Sequence, residues 1–232
     1  MPSPDLSPST RQPTELLDGV IVDRLAPTLH LQTDAVGADT WRHLIDVTQT
    51  DGHEHGVAIG RFKDGTYVIS DDFADPVPDD PEFAAGATLS IPASPFGIIK
   101  GFIQRVKKET LVHTHPMGPE LDHVRTTVVS DKDIHQFMHS DYNASVVLDR
   151  GGAHLLARTG SIQFSGVVPP PNLVTAATHE VIEEGGGSMD LLARVAGRLS
   201  SFGLGYYYTS DLSPQDGIIA FQNLRTAEMA KN

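Results

Sequence analysis

ETLVHTHP, residues 109–116, is a run of apolar and β-branched residues closed by a proline. It predicts a buried strand that empties into a loop at Pro116. Past that loop, SDKDIHQFM (residues 130–138) predicts a helix beginning at Asp131, with Ser130 as N-cap and Asp133 at the third helical position. SVVL (145–148) and AHLLA (153–157) then form a hairpin turned at Asp149-Arg150-Gly151-Gly152.

Upstream, Val57 and Ile59 mark one strand and Tyr67, Val68 and Ile69 a second, with Asp64-Gly65 between them as a two-residue hairpin signal. DAVGADTWRHLIDVT (34–48) carries Val36, Trp41, Leu44, Ile45 and Val47 at helical spacing. Gly19 to Leu31 contains VIV and LHL and predicts one or two short strands. Residues 74–96 read as an irregular excursion with one short strand at ATLSI, and FGIIKGFIQRV (96–106) as a helix. After Pro169-Pro170-Pro171, two short helices are predicted, Leu173 to Glu184 and Met189 to Ser200, separated by Gly185-Gly186-Gly187. A final hairpin pairs Tyr206-Tyr207-Tyr208 with Ile218 to Phe221. There is no internal repeat. The reading is an α+β chain: a disordered tail over 1–14, a main domain over 15–168, and a helical and hairpin extension over 169–232. The apolar stripe Leu191, Leu192, Val195 and Leu199 predicts that this extension packs on the core or on a partner, a second copy of the chain included.

Of 232 residues, 39% are hydrophobic, enough for a core. Seventeen basic residues face thirty acidic ones, a formal charge of -13. Such a surface repels phosphate backbones and anionic lipid, which argues against nucleic-acid and membrane partners. The chain has no cysteine, so disulfides, thiolate nucleophiles and cysteine zinc sites are all excluded. The N-terminal MPSPDLSPSTRQPTE lacks the basic and apolar regions of a secretory signal, and no apolar run is long enough for a membrane span. A soluble cytoplasmic protein is the expectation.

The eleven histidines point instead to metal chemistry. His113 and His115 alternate along the strand, so both imidazoles leave it on one side and can share an ion. The bland alternative is a pair of satisfied polar side chains. A catalytic zinc site needs a third ligand, and a carboxylate from elsewhere would complete it; Asp133, at the start of a helix, can be presented rigidly toward the strand end.

Three separated pieces, Glu54-His55-Gly56 with Gly60, His113-Thr114-His115-Pro116, and Ser130-Asp131-Lys132-Asp133, together resemble the JAMM (JAB1/MPN/Mov34) metalloprotease family. The similarity spans roughly residues 20–165 and leaves the C-terminal part outside. It implies an MPN-like mixed sheet with flanking helices, layered as in cytidine deaminases. It also implies one Zn²⁺ per chain held by His113, His115 and Asp133, with water in the fourth position at a pKa lowered to about 7. Glu54 would take the proton of that water and pass it to the leaving amine. Ser130 would hydrogen-bond the oxyanion, a contact worth about 3 kcal/mol.

The implied activity is cleavage after the C-terminal glycine of ubiquitin or a ubiquitin-like protein, in deconjugation or precursor maturation. Two other readings are an inactive MPN-type scaffold that binds protein partners and a peptidase acting on a sulfur-carrier protein. Segments 74–96 and 117–129 are the expected groove walls.

The spacing departs from the family motif. Seventeen residues separate His115 from Asp133, more than the motif has, which implies an insertion within Met117 to Val129. Thr126 stands where the shorter spacing would put the acid and cannot replace a carboxylate. Glu120, Asp122 and Asp131 compete, but only Asp133 has a serine three residues before it. His53, His55, His123, His135 and His139 read as solvated or supporting groups rather than ligands. Position 57 is valine, so HEH is not the start of an H-E-x-x-H zinc motif. Gly185-Gly186-Gly187 has no phosphate-loop lysine after it, and no serine sits in a G-x-S-x-G elbow.

Overall fold

The computed structural model describes residues 28–74, 106–115, 129–149, 151–158, 170–184 and 188–224. The chain is α+β, with strands β1 (Thr28–Gln32), β2 (His55–Arg61), β3 (Tyr67–Ile69), β4 (Phe73–Ala74), β5 (Lys107–Thr114), β6 (Ala144–Leu148), β7 (Ala153–Arg158), β8 (Leu204–Thr209) and β9 (Ile218–Asn223). The helices are α1 (Thr33–Val36), α2 (Ala38–Asp51), α3 (Asp131–His139), α4 (Pro171–Glu184) and α5 (Ser188–Ser201). Among the described residues, nine strands form one mixed sheet in the order β1-β9-β8-β7-β6-β5-β2-β3, with β4 also on β2. Among the described strands, only β5 and β6 pair in parallel.

Strand alternation divides the core into two layers. Ala58, Leu111, Val147, Leu156 and Tyr206 face one side, where Ile134 and Phe137 of α3, Val174 of α4 and Leu191, Val195 and Leu199 of α5 cover them. Val57, Ile59, Val112, Val146, Leu155, Tyr207 and Phe221 face the other, under Trp41 and Leu44 of α2. Covering both faces explains why β6 reads as a continuous apolar run rather than an alternating one. Gly52 ends α2 with φ 78°, a left-handed conformation that costs glycine nothing, and its N–H bonds Thr48 O. The chain thereby turns directly into Glu54 and β2.

The parallel pairing of β5 with β6 positions the site. Parallel neighbours need a crossover, and the chain between them carries α3. A crossover helix starts near the end of the strand it leaves, so the first turn of α3 meets the His113–His115 end of β5.

The predicted elements around positions 55–69, 107–115 and 131–157 are present, as are the helices after Pro171; the single helix read over 34–48 is divided at Gly37, whose φ is 65°, into α1 and α2. Two registers differ from the sequence reading. The loop after β2 spans five residues, closed by Phe62 N–H to Thr66 O at 2.9 Å, because Arg61 pairs with Tyr67. In the last hairpin Tyr207 lies opposite Asn223 and Tyr208 opposite Gln222. On the other edge of β9, Ile218 to Gln222 pair with β1. Residues beyond 168 add β8 and β9 to the same sheet, so chain from both sides of that boundary shares one hydrogen-bonded layer. The expected tail over 1–14, the VIV and ATLSI strands, the 96–106 helix apart from Val106, and nearly all of both groove walls lie outside the described residues. Among the described residues no helix is long and apolar enough to cross a membrane.

Phe221 of β9 is fully buried and meets Trp41 of α2 edge-on, with ring centroids 6.3 Å apart. Phe221→Ala is expected to destabilise the protein by about 3–5 kcal/mol in urea unfolding. A loss below about 1 kcal/mol would show that β9 is not part of the core.

Candidate metal centre

Residues 111 and 113 share one face of β5, so His113 points toward α3, and His115 follows just past the strand end. His113 Nε2 lies 3.0 Å from Asp133 Oδ1, and His115 Nε2 lies 3.1 Å from Asp133 Oδ2. The two imidazoles approach with centroids 5.3 Å apart at 56°. One ligand atom from each of the three residues lies within 4.8 Å of the others, a buried group that could hold a metal ion. Ligand atoms at the corners of a tetrahedral zinc site, about 2.0–2.2 Å from the ion, stand about 3.3 Å from one another. The two histidine–aspartate contacts, at 3.0 and 3.1 Å, come close to that spacing. His113 Nδ1 is buried and has no hydrogen-bond partner among the described residues.

Asp133 is fixed by its place in the helix. Ser130 and Asp133 form a capping box: Asp133 N–H donates to Ser130 Oγ at 3.1 Å, and Ser130 N–H donates to Asp133 Oδ2 at 2.8 Å. Ser130 Oγ–H also reaches Asp133 Oδ2 at 2.6 Å. The serine therefore spends its one hydroxyl proton on the carboxylate, as an outer partner that orients a ligand. Donation to an oxyanion, the role implied by the family resemblance, requires that proton to turn away from Asp133.

Charge sets the protonation of the group. Burial alone would lower the pKa of His115, but the charge and hydrogen bond of Asp133, with further help from Glu54 and Asp149, push it up to about 9. Burial alone would raise Asp133, yet His115 and His113 hold it well below the usual carboxylate range. Glu54, partly buried just before β2, is thus near enough to act on His115.

The supporting residues were less visible in the sequence. His55, on the opposite alternation from Glu54, is clamped between Asp51 Oδ2 at 2.8 Å and Asp72 Oδ2 at 3.0 Å. Both ring nitrogens face carboxylates, which favours the imidazolium; burial opposes this, and the two aspartates raise the pKa. On the α3 side of the sheet, His154 Nε2 lies 3.1 Å from Asp149 Oδ2, and its Nδ1 lies 2.9 Å from Tyr206 Oη. Tyr206 Oη in turn accepts the N–H of Val129, the residue before Ser130, at 3.4 Å. A histidine inside the apolar run AHLLA was the one sequence signal for this chain of contacts. His135 and His139 meet along α3 with ring centroids 4.5 Å apart, tilted at 57°, and are not in the His113–His115–Asp133 group. His123, Glu120 and Asp122 lie outside the described residues, as does the side chain of Asp131. No family model, curated protein or solved structure matches the chain.

Two outcomes follow from this geometry. The raised pKa of His115 stabilises the metal-free fold fully below pH 6.5, a contribution lost as pH rises through about 9; the depressed pKa of Asp133 contributes above pH 3.8 and is lost as pH falls toward its folded value. At pH 7 His115 therefore carries a proton that a metal must displace, and calorimetry in buffers of different ionisation enthalpy is expected to give about one proton released per ion bound. Heats independent of buffer would contradict this. Ser130→Ala is expected to weaken metal binding about 10–100-fold in chelator competition, because Asp133 loses an orienting partner.

Proposed function

We propose that the chain is a JAMM-type zinc peptidase or isopeptidase that cleaves after the C-terminal glycine of a ubiquitin-like protein. The observation that carries the proposal is the convergence of His113 and His115 on one buried aspartate, Asp133, with Glu54 among the charges that raise the pKa of His115. The motif resemblance adds the reaction class. A mixed sheet with helices on both faces, and a ligand pair at the strand that enters the parallel crossover, is compatible with an MPN-like fold.

His113, His115 and Asp133 would hold the zinc, which supplies Lewis-acid polarisation of the scissile carbonyl and of water. The remaining work falls to the protein. Glu54 accepts a proton from the attacking water as the carbon–oxygen bond forms. It returns that proton to the departing amine as the carbon–nitrogen bond breaks. Ser130 keeps Asp133 turned toward the histidines and donates to the developing oxyanion once its proton swings free. Beside His115 a narrow cleft is lined by Thr48, Gln49, Thr114, Leu148 and Asp149.

The test is the purified protein with one equivalent of zinc and fusions ending in a ubiquitin-like or sulfur-carrier glycine tail. Cleavage after the glycine is expected, falling about 10²–10⁴-fold in Glu54→Ala while zinc stays bound. Cleavage that persists in Glu54→Ala would reject the mechanism. Zinc binding without cleavage of any member of the panel would point to a scaffold.

A further inference from the structure

Thr114 stands between the two histidines, and alternation turns it the other way, toward α2. It is buried, at 1% exposure. The β2–β5 ladder runs through Gly56 opposite His113, and the next opposed pair is His55 with Thr114. Here a side chain, rather than the strand backbone, makes the connection. Thr114 Oγ1 accepts the N–H of His55 at 3.0 Å and donates to the carbonyl oxygen of His55 at 3.2 Å. It also meets Thr48 Oγ1 of α2, which can donate to it. A hydroxyl with one proton and two lone pairs is thereby fully used, deep in the fold.

The N–H of His55 belongs to the peptide group that begins at Glu54. Holding it fixes the plane from which the Glu54 side chain departs. On its other side the end of β5 is tied to β6, where His115 N–H donates to Leu148 O at 3.0 Å. One hydroxyl thus measures the separation between the segment that carries the carboxylate and the strand that carries both imidazoles. The His55 ring, gripped by Asp51 and Asp72, restrains the same segment from outside.

We propose that Thr114 is a positioning residue that sets Glu54 against the His113–His115 pair through the backbone of His55. This rests on the metal-site reading, and it adds a residue whose side chain points away from the ligands. A purely structural threonine would affect stability alone. A positioning threonine must also change how Glu54 and the metal influence each other.

The experiment uses the full chain loaded with Co²⁺ and follows its visible absorption against pH, alongside thermal unfolding. Glu54→Gln is expected to move the midpoint of the wild-type titration by about one unit or more, a tenfold effect of the size outer partners produce. Thr114→Val, which keeps the shape and removes the hydroxyl, is expected to move it in the same direction with Co²⁺ still bound one to one, and Thr114→Ser to restore the wild-type midpoint. A Thr114→Val midpoint equal to wild type, beside a shifted Glu54→Gln, overturns the role of Thr114 and leaves the metal-site reading intact. Absence of Co²⁺ binding by the wild-type chain overturns both. Amide exchange of His55 in the unmodified protein gives an arm that does not depend on a variant folding. Strong protection is expected, and exchange at the rate of an open amide overturns the proposal.

Discussion

The parallel contact between β5 and β6 is the constraint on which the site depends. Antiparallel neighbours can be joined by a tight turn, but this pair cannot, so the chain must leave the end of β5 and travel back along the sheet. It does so through α3, and the start of that helix is delivered to the end of β5. Two imidazoles on alternate residues and one aspartate in the first helical turn are then neighbours by topology. The antiparallel contact of β2 with β5 brings the Glu54 end of β2 to the same edge of the site.

A site assembled this way concentrates charge where water is scarce. Burying Asp133 would by itself favour its neutral form, and burying His115 would favour the neutral imidazole. The two together reverse both tendencies, favouring a protonated His115 beside an ionised Asp133. The capping box locks one carboxylate oxygen, so Asp133 does not have to be reoriented when the proton is exchanged for an ion. For a metal held by these residues, such preorganisation would reduce the ordering cost of binding. The same logic extends outward: Thr114 meets Thr48 of α2, while His154 and Tyr206 face the three-helix side, and the two sets end on the backbone groups of His55 and Val129, next to Glu54 and Ser130.

Local chemistry explains what the sequence made legible. The same-side placement of His113 and His115 follows from strand periodicity, and the presentation of Asp133 from Ser130 as N-cap; neither needs knowledge of distant contacts. The seventeen-residue interval after His115 hid nothing, because serine three residues before aspartate is a helix-start signal in its own right. Long-range pairings were not legible. β1 and β9 meet across most of the chain, and β9 lies between β1 and β8, with Gln222 opposite both Thr28 and Tyr208. The triple-proline stretch at 169–171 resembles a linker, yet the segment after it completes the sheet with β8 and β9. Asp72 reaches His55 from seventeen positions away, and Thr48 reaches Thr114 from sixty-six, distances at which single-residue patterns carry no information.

X-ray absorption at the zinc edge of the loaded protein tests the central claim most directly, since it reads the ligands of the ion itself. The account requires a single zinc per chain in a four-coordinate shell of nitrogen and oxygen at about 2.0–2.2 Å, with the outer scattering of two imidazole rings. One imidazole should disappear in His115→Ala. A six-coordinate oxygen shell without imidazole scattering, or a spectrum unchanged in that variant, would mean that His113, His115 and Asp133 do not form the metal centre.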